Sequence, residues 1–336
     1  MKKLFTLITS LLVITEAFAT NIVEEELFAY RDTLRIYGKM FRPEGQKQLP
    51  VVICSHSSSL THKAMQGYAR KLAQEGYAAY CFDFCGGSSE SMSDGSTDSM
   101  TVFTEVNDLH AVVDMVKRLD YSDPARIVLL GSSQGGLVSA LLAEELQGEV
   151  ASMVLFYPAF NIPEMVRMFS GFGNIGGGSW GNMGGMMSMS EKYVNTIKDY
   201  DVWSNIGTFK NPICIVHGTS DIIVPISNSE KAITLYPKAE LHRIEGANHG
   251  FNADNLGGMG SMMGGQTDYV SQVMPIVLDF LNKNISLGIN HSHTYNTTQT
   301  ATTYNIKGIK IESPTKGDIF IRNGKKHIAR NTMNDN

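Results

Sequence analysis

The most informative segment of the chain runs from Arg126 to Gly135 and reads RIVLLGSSQG. The run Arg126–Leu130 is typical of a buried strand, and a helical pattern starts at Gln134. The residues between them fit G-x-S-x-G, a sharp strand–turn–helix connection that lifts a serine hydroxyl above the edge of a sheet. Gly131 and Gly135 suit this turn because larger side chains would collide with neighbouring strands. We therefore predict that Ser133 is a nucleophile.

On both sides of this turn, strand-like and helix-like segments alternate. Strands are predicted at Leu27–Tyr30, Leu34–Phe41, Val51–Ser55, Tyr77–Phe84, Arg126–Leu130, Ala151–Tyr157, Ile213–His217 and Leu241–Ile244. Helices are predicted at His62–Glu75, Met100–Leu119, Gln134–Leu146 and Tyr269–Asn282. The first two strands are expected to form a hairpin. The alternation predicts an α/β fold with a mostly parallel sheet and helices on both faces.

Composition excludes several classes of protein. The 336 residues are 43% hydrophobic and 18% charged, which is typical of a globular protein. The net charge of -5 provides no basic field for nucleic acid, and no nucleic-acid motif occurs. No transmembrane segment is predicted, and the sequence leaves the oligomeric state open.

The ends of the chain differ from its middle. Residues 1–19 are predicted to be a signal peptide, with Lys2 and Lys3 before the apolar run Leu4–Ile14 and a small-x-small site at Ala17-Phe18-Ala19. The protein is therefore expected to be periplasmic, on the cell surface or extracellular. Residues 20–285 are predicted to form the main domain, residues 286–303 a polar linker, and residues 304–336 a tail containing a strand at Ile319–Arg322 before Asn323-Gly324.

Four cysteines remain after the predicted cleavage site. Cys54, Cys81 and Cys214 lie in apolar runs that predict buried strands, and Cys85 follows one of these runs. We predict no structural disulfide, or at most one. The cysteine spacing matches no metal site, so no metal is predicted.

A serine nucleophile needs a base, and in this kind of fold the acid and then the histidine follow it along the chain. Asp221 follows the strand that ends near His217, and His249 follows the next strand. Both would project toward Ser133. We predict a catalytic triad of Ser133, Asp221 and His249, and a structural role for His217 at its strand end.

An oxyanion that forms next to this serine needs backbone N–H donors. The residue after the nucleophile, Gln134, is expected to supply one of them. The loop after the early strand Val51–Ser55 is expected to supply the other, from Ser57 or Ser58.

These motifs and their order resemble the α/β-hydrolase superfamily, and more narrowly its cinnamoyl or feruloyl esterase-like branch, which is related to dienelactone hydrolase. The narrower resemblance is carried by Phe82–Ser88, by Ser93-Asp94-Gly95, by Met100-Thr101-Val102 and by His217 with Val224-Pro225. It covers roughly Leu27 to Asn282. One departure is His56-Ser57-Ser58, where the branch usually has His-Gly and an apolar residue. The tail resembles C-terminal appendages of exported proteins of Gram-negative anaerobes, which are associated with sorting or surface retention.

An insertion at about residues 158–211, after the sixth strand, is predicted to be a lid. It is rich in Gly and Met, and a second such patch runs from Leu256 to Gly265. We expect either an adaptable apolar wall around the substrate or two mobile loops. Trp180, Tyr193, Tyr200 and Phe251 are the predicted substrate contacts.

The sequence therefore predicts a secreted serine carboxylester hydrolase that works through an acyl-enzyme and uses no cofactor. The expected substrates are aromatic (cinnamoyl or feruloyl) or short acyl esters, either small molecules or linked to polysaccharide. Two alternatives remain open: a serine peptidase on the same fold, and a non-catalytic binding protein on a decayed hydrolase scaffold.

Overall fold

The computed structural model describes residues 21–171, 189–252 and 269–285, with strand residues 303–305, 310–311, 319–322 and 325–328 of the tail. The chain divides into two compact units, one ending at Leu287 and one running from Gly288 to Asn336. Within the described residues, none of the helices has both the length and the apolar character needed to cross a bilayer.

The larger unit is built on one eight-stranded sheet with the order β1-β2-β4-β3-β5-β6-β7-β8. Its strands are β1 Ile22–Arg31, β2 Leu34–Pro43, β3 Leu49–Ser55, β4 Ala78–Phe82, β5 Ser122–Ser132, β6 Val150–Phe156, β7 Ile213–Gly218 and β8 Ala239–Ile244. β1 and β2 form an antiparallel hairpin, and β2 is also antiparallel to β4. All remaining pairs are parallel. The predicted fold class is confirmed.

Helices cover both faces of the sheet. They are α1 Gln66–Gln74, α2 Val102–Lys117, α3 Gln134–Glu145, α4 Ile162–Gly171, α5 Glu191–Ile197, α6 Ser227–Leu235 and α7 Val270–Asn284. α2 begins at a capping box, in which the Thr101 hydroxyl accepts from the Thr104 N–H and the Thr101 N–H donates to the Thr104 hydroxyl. These two hydrogen bonds satisfy the backbone N–H groups of Thr101 and Thr104 and fix where α2 starts.

Two apolar layers result. α1 and α7 pack on one face of the sheet, and α2, α3 and α5 pack on the other. Cys54, Cys81 and Cys214 are buried in β3, β4 and β7, as the apolar runs predicted. Each of the four thiols, including that of Cys85, is unpaired in the structure.

Several elements differ from the sequence prediction, which did not include the helices α4, α5 and α6. The helix expected at His62–Glu75 begins as a 3₁₀ turn, His62–Ala64, before α1 starts at Gln66. α6 was not predicted, because it buries only Ser229 and Ala232 and so leaves no clear apolar stripe in the sequence.

The segment between β6 and β7 holds α4 and α5. Residues 172–188, with Trp180 and most of the methionine-rich patch, lie outside the described residues, as does the patch from Leu256 to Gly265. The role of residues 158–211 as a lid stays a prediction.

The described residues of the tail form four strands in the order β10-β9-β11-β12. They are β9 Thr303–Asn305, β10 Lys310–Ile311, β11 Ile319–Arg322 and β12 Lys325–Ile328. The predicted strand Ile319–Arg322 is confirmed as β11, and it pairs antiparallel with β12 across residues 323–324.

Candidate active site

Ser133 stands at the sharp turn between β5 and α3. Its backbone has φ 50° and ψ -115°, a left-handed conformation that is strained for a residue with a side chain. The turn is possible because two glycines flank it. A Cβ on Gly131 would lie 2.2 Å from the Gly135 carbonyl oxygen, and a Cβ on Gly135 would lie 2.5 Å from the carbonyl oxygens of Ser55 and His56. The sequence therefore predicted correctly that larger side chains would collide here. The collisions are with the backbone of the turn itself, of the last residue of β3 and of the loop that follows β3.

Asp221 lies on the loop after β7, and its side chain is fully buried. Its Oδ1 accepts hydrogen bonds from the N–H groups of Ile223 (3.0 Å) and Val224 (2.9 Å). Its Oδ2 faces two histidine rings, with His249 Nδ1 at 2.7 Å and His217 Nε2 at 3.2 Å. Every lone pair of the carboxylate is thereby directed at a donor.

His249 follows β8 and connects Asp221 with Ser133. Because its Nδ1 faces the Asp221 carboxylate, Nδ1 carries the proton and Nε2 is left as an acceptor. Nε2 lies 3.1 Å from the Ser133 hydroxyl oxygen. The Tyr157 ring packs against the other side of the imidazole at a centroid distance of 4.6 Å. The structure thus brings Ser133, His249 and Asp221 into one hydrogen-bonded series, which is the arrangement that nucleophilic catalysis requires.

The charge of Asp221 is set by its neighbours. Burial alone would raise the pKa of Asp221, but hydrogen bonds from His217, His249 and the Val224 N–H outweigh burial and hold that pKa well below its usual value. Asp221 is therefore an anion, suited to stabilise a positive charge on His249.

His217, which we predicted to be structural, is one of these neighbours. Its Nδ1 lies 2.7 Å from the Ser229 hydroxyl oxygen, and its Nε2 lies 2.9 Å from the Val224 carbonyl oxygen. A carbonyl can only accept, so the proton is on Nε2 and is shared with Asp221. His217 is fully buried and stabilises the Asp221 carboxylate through this contact.

The loop after β3 also contacts the nucleophile turn. His56 accepts the Phe84 N–H at Nε2 (3.2 Å), and its Nδ1–H donates to the Ser57 carbonyl (2.8 Å). Burial lowers the pKa of His56, so its ring is neutral. The Ser57 hydroxyl lies 2.9 Å from that of Ser132. These contacts fix the loop that holds Ser57 and Ser58.

The side chain of Gln134 is also fixed, through two hydrogen bonds. Its Nε2 donates to Glu105 Oε2 (2.7 Å), and its Oε1 accepts from the Tyr193 hydroxyl (2.8 Å). The backbone N–H of Gln134 is at the first position of α3, where a helix leaves N–H groups without intrahelical partners. That N–H is therefore suited to bind an oxygen of a ligand.

The predicted substrate contacts need correction. Tyr193 is buried and bonded to Gln134, and Phe251 is fully buried against Phe156 and Tyr157. Neither offers surface to a ligand, because aromatic residues in these segments are taken into the core. Tyr200 is half-buried and packs edge-on against Phe103 at 5.0 Å. Trp180 lies outside the described residues.

Three residues around the site were given no role by the sequence analysis: His56, Glu105 and Tyr157. His56 and Tyr157 each directly follow a buried strand, and this position is a usable signal, because ligand-binding residues of α/β sheets gather at strand carboxyl ends. Glu105 lies on the apolar face of α2, where an acidic residue breaks the pattern. This acidic residue on an apolar helix face was the signal from which Glu105 could have been found.

One group of possible metal ligands converges among the described residues, formed by Cys214, Glu240 and His242 on β7 and β8. Burial raises the pKa of the Cys214 thiol, which disfavours the thiolate that a metal prefers. The Glu240 carboxylate is instead 3.1 Å from His242 Nε2.

Comparisons with known proteins agree with this fold. A family model described as serine aminopeptidase, S33, matches residues 46–176. Est1E from Butyrivibrio proteoclasticus, solved with ferulic acid bound, superposes with a TM-score of 0.64 at 23% identity, covering 77% of this chain and 99% of Est1E. An esterase from Pyrococcus furiosus gives 0.56 at 20% identity, covering 79% of this chain and 91% of the esterase. The α/β hydrolase domain-containing protein 10 from mouse gives 0.58 at 17% identity, covering 77% and 99%. No curated protein sequence matches the chain.

The chain thus has the α/β-hydrolase fold, as its motifs indicated. Est1E with ferulic acid bound and an esterase are among the solved structures that share this fold.

Proposed function

We propose that this protein is a serine carboxylester hydrolase in which Ser133, His249 and Asp221 form the catalytic triad. One observation carries the proposal: the series Ser133 Oγ–His249 Nε2 (3.1 Å) and His249 Nδ1–Asp221 Oδ2 (2.7 Å), with the serine on a strained turn. A fold of this kind does not require such a series, so its presence favours a reaction at the serine.

In the first half of the reaction, Ser133 Oγ attacks the acyl carbon of the ester and His249 Nε2 takes the hydroxyl proton. Asp221 stabilises the imidazolium that forms and keeps the ring in the required tautomer. The tetrahedral intermediate then collapses. The bond to the alcohol oxygen breaks, His249 gives its proton to that oxygen, and the acyl group stays on Ser133.

In the second half, water attacks the acyl-enzyme while His249 Nε2 takes a proton from it. Collapse of the second tetrahedral intermediate releases the carboxylic acid, and the proton returns to Ser133 Oγ. The sum is ester plus water giving acid plus alcohol, and it needs no cofactor.

The negative oxygen of each intermediate needs donors, and we assign the N–H groups of Gln134 and Ser58. The Ser57 carbonyl is turned toward His56 and also accepts from the Leu60 N–H. The peptide between Ser57 and Ser58 is trans, so the Ser58 N–H points the opposite way from that carbonyl. This orientation supports Ser58 over Ser57 as the second donor.

For the substrate, we propose aromatic or short acyl esters. The support is the likeness to Est1E, whose structure contains ferulic acid. A peptidase is the second candidate, because the matched family model is described as a serine aminopeptidase. Ester and amide differ only in the leaving group, so one assay can separate them.

The test is hydrolysis of methyl ferulate, p-nitrophenyl acetate, p-nitrophenyl butyrate and an aminoacyl p-nitroanilide. Wild-type protein is compared with Ser133→Ala, and with Ser152→Ala as control. Ser152 is a buried serine of β6 whose hydroxyl donates to the Pro212 carbonyl, away from the nucleophile turn. We expect ester turnover in the wild type and in Ser152→Ala, with a loss of at least about 10⁴-fold in Ser133→Ala.

Other results would change the assignment. Faster turnover of the anilide than of any ester would favour the peptidase. No turnover and no labelling of Ser133 by a fluorophosphonate probe would contradict an enzyme and favour a binding protein.

We also propose that the protein is exported after removal of residues 1–19, on the support of the signal-like sequence at its start. Expression of the full chain followed by fractionation should place it outside the cytoplasm, with Thr20 as the first residue. A cytoplasmic protein that retains Met1 would contradict export. The tail is proposed to act in sorting, and its removal should then release the protein from the cell surface.

A further inference from the structure

Three buried polar side chains from three different helices are joined by hydrogen bonds at Gln134, the residue that follows Ser133. Tyr193 of α5 donates its hydroxyl to Gln134 of α3 (2.8 Å), and Gln134 donates its amide to Glu105 of α2 (2.7 Å). Each residue is 3% exposed or less. We call these residues the Gln134 network.

The network fixes a residue that is adjacent to the chemistry. Both ends of the Gln134 amide are used, so the side chain cannot rotate without breaking two buried hydrogen bonds. Its backbone N–H follows the strained Ser133, whose φ is 50°. Side-chain anchoring at this position therefore restrains the first turn of α3, where that N–H has to stay aimed at the reacting oxygen.

Glu105 is a costly residue to place there. Its Oε1 is buried and has no hydrogen-bond partner among the described residues. Asp108, one turn further along α2, is paired with Arg31, but within the described part of the chain no ion pair to Glu105 is found. An apolar residue would pack at this position without that cost, so a buried acceptor retained here calls for an explanation.

We propose that Glu105 and Tyr193 are positioning residues, which hold the Gln134 N–H where the oxyanion forms and link it to α5 in the segment between β6 and β7. The proposal rests on the function proposed above. It makes the seating of α5 a requirement for full activity, because α5 supplies the Tyr193 hydroxyl and its own start is capped by Ser190, whose Oγ accepts the Tyr193 N–H at 3.1 Å.

A pH dependence follows from the same geometry. Burial, with the nearby Asp108 charge, raises the pKa of Glu105 to about 8 against the opposing hydrogen bond from Gln134. The titratable groups that face Glu105 are Asp108 of its own helix and Tyr193 of α5, and Gln134 of α3 is neutral. Above about pH 8 Glu105 becomes a buried anion without a cation, and its negative charge next to Gln134 opposes the negative charge that develops on the reacting oxygen. The kcat of the wild type should then fall.

The experiment compares kcat and KM of Tyr193→Phe, Glu105→Ala and Glu105→Gln on p-nitrophenyl acetate, with active sites counted by fluorophosphonate labelling. We expect Tyr193→Phe and Glu105→Ala to lower kcat by roughly 10-fold, the value of one buried hydrogen bond, with KM changed by less than about 2-fold. Glu105→Gln keeps an acceptor oxygen and should restore most of kcat near pH 7 while removing the alkaline fall. Tyr77→Phe is the control, since it removes the buried hydroxyl that donates to Asn282 on α7.

The outcomes separate this inference from the function on which it rests. An active wild type with unchanged kcat in both Tyr193→Phe and Glu105→Ala would overturn the positioning role alone. A lower melting temperature without a lower kcat per labelled site would do the same, because it would show a structural role. A wild type that neither turns over esters nor labels would overturn the proposed function and this inference together.

Discussion

Two buried carboxyl groups lie near Ser133, one connected to it through His249 and the other through the neighbouring Gln134, and the structure gives them different charges. Asp221 accepts from two histidines and two backbone N–H groups, which hold its pKa well below the usual range. Glu105 accepts from one amide, and its pKa is raised to about 8. Burial is similar for both side chains. The number and kind of donors decides which of them is an anion.

The contrast matters because the two sides of a serine nucleophile have to stabilise charges of opposite sign. The base side has to stabilise a positive charge on His249, so a permanent anion belongs there. The oxyanion side has to stabilise a negative charge, so an anion behind Gln134 would oppose the reaction. A neutral Glu105 avoids this conflict, since it accepts a hydrogen bond without adding charge.

Removing the charge on the base side should have the largest effect. Asp221→Asn keeps the shape but replaces an acceptor with an amide, which favours the wrong tautomer of His249. We expect kcat to fall by about 10⁴-fold. Asp123→Asn, at the start of β5, is the matched control and should keep wild-type kcat. An Asp221→Asn enzyme within about 10-fold of wild type would contradict the triad.

On the oxyanion side, the same acid-to-amide exchange should change the pH dependence of stability. The usual Glu105 pKa of 4.5, which applies to the unfolded chain, lies below the folded value of about 8. Between these values the unfolded chain releases the proton and the folded protein keeps it, so the free energy of unfolding falls as pH rises. The loss is on the order of 5 kcal/mol and is complete above about pH 8.

Glu105→Gln should abolish that loss, which urea unfolding at several pH values would measure. The stability of the variant relative to wild type should therefore rise with pH. Glu75→Gln, at the exposed end of α1, is the control and should keep the wild-type pH dependence. Parallel stability curves for wild type and Glu105→Gln would show that Glu105 is ionised in the folded protein.

The base side could be predicted from the sequence and the oxyanion side could not. Ser133, Asp221 and His249 each follow a strand, and parallel strands bring their carboxyl ends to one edge, so chain order was enough to place them together. The partners of Gln134 come from helices α2 and α5, whose packing is set by side chains distant in sequence. The same reason explains why Tyr193 was predicted to contact substrate although it is buried in the core.

A smaller effect is expected when the second histidine on Asp221 is changed. His217→Leu removes the donor that shares Asp221 Oδ2 with His249, whereas His217→Gln can keep an N–H near the Nε2 position. A hydrogen bond to a charged group contributes about 1.5–3 kcal/mol, so His217→Leu should lower kcat by roughly 10-fold to 100-fold. His217→Gln should lose less. Equal losses in the two variants would show that ring packing, not the hydrogen bond to Asp221, gives His217 its importance.

The smallest expected effect concerns the loop that departs from the resembled branch. The Ser57 hydroxyl contacts the Ser132 hydroxyl (2.9 Å), and that contact ties the loop to the nucleophile turn where a glycine could not. Ser57→Gly should lower stability by about 1 kcal/mol, or roughly 2–4 °C in melting temperature, and kcat by about 3-fold. Ser57→Ala removes the hydroxyl without adding the backbone freedom of a glycine. Comparing it with Ser57→Gly therefore separates the two effects. If Ser57→Gly instead raised kcat while Ser57→Ala lowered it, the serine would be a constraint on the Ser58 donor and not a support for it.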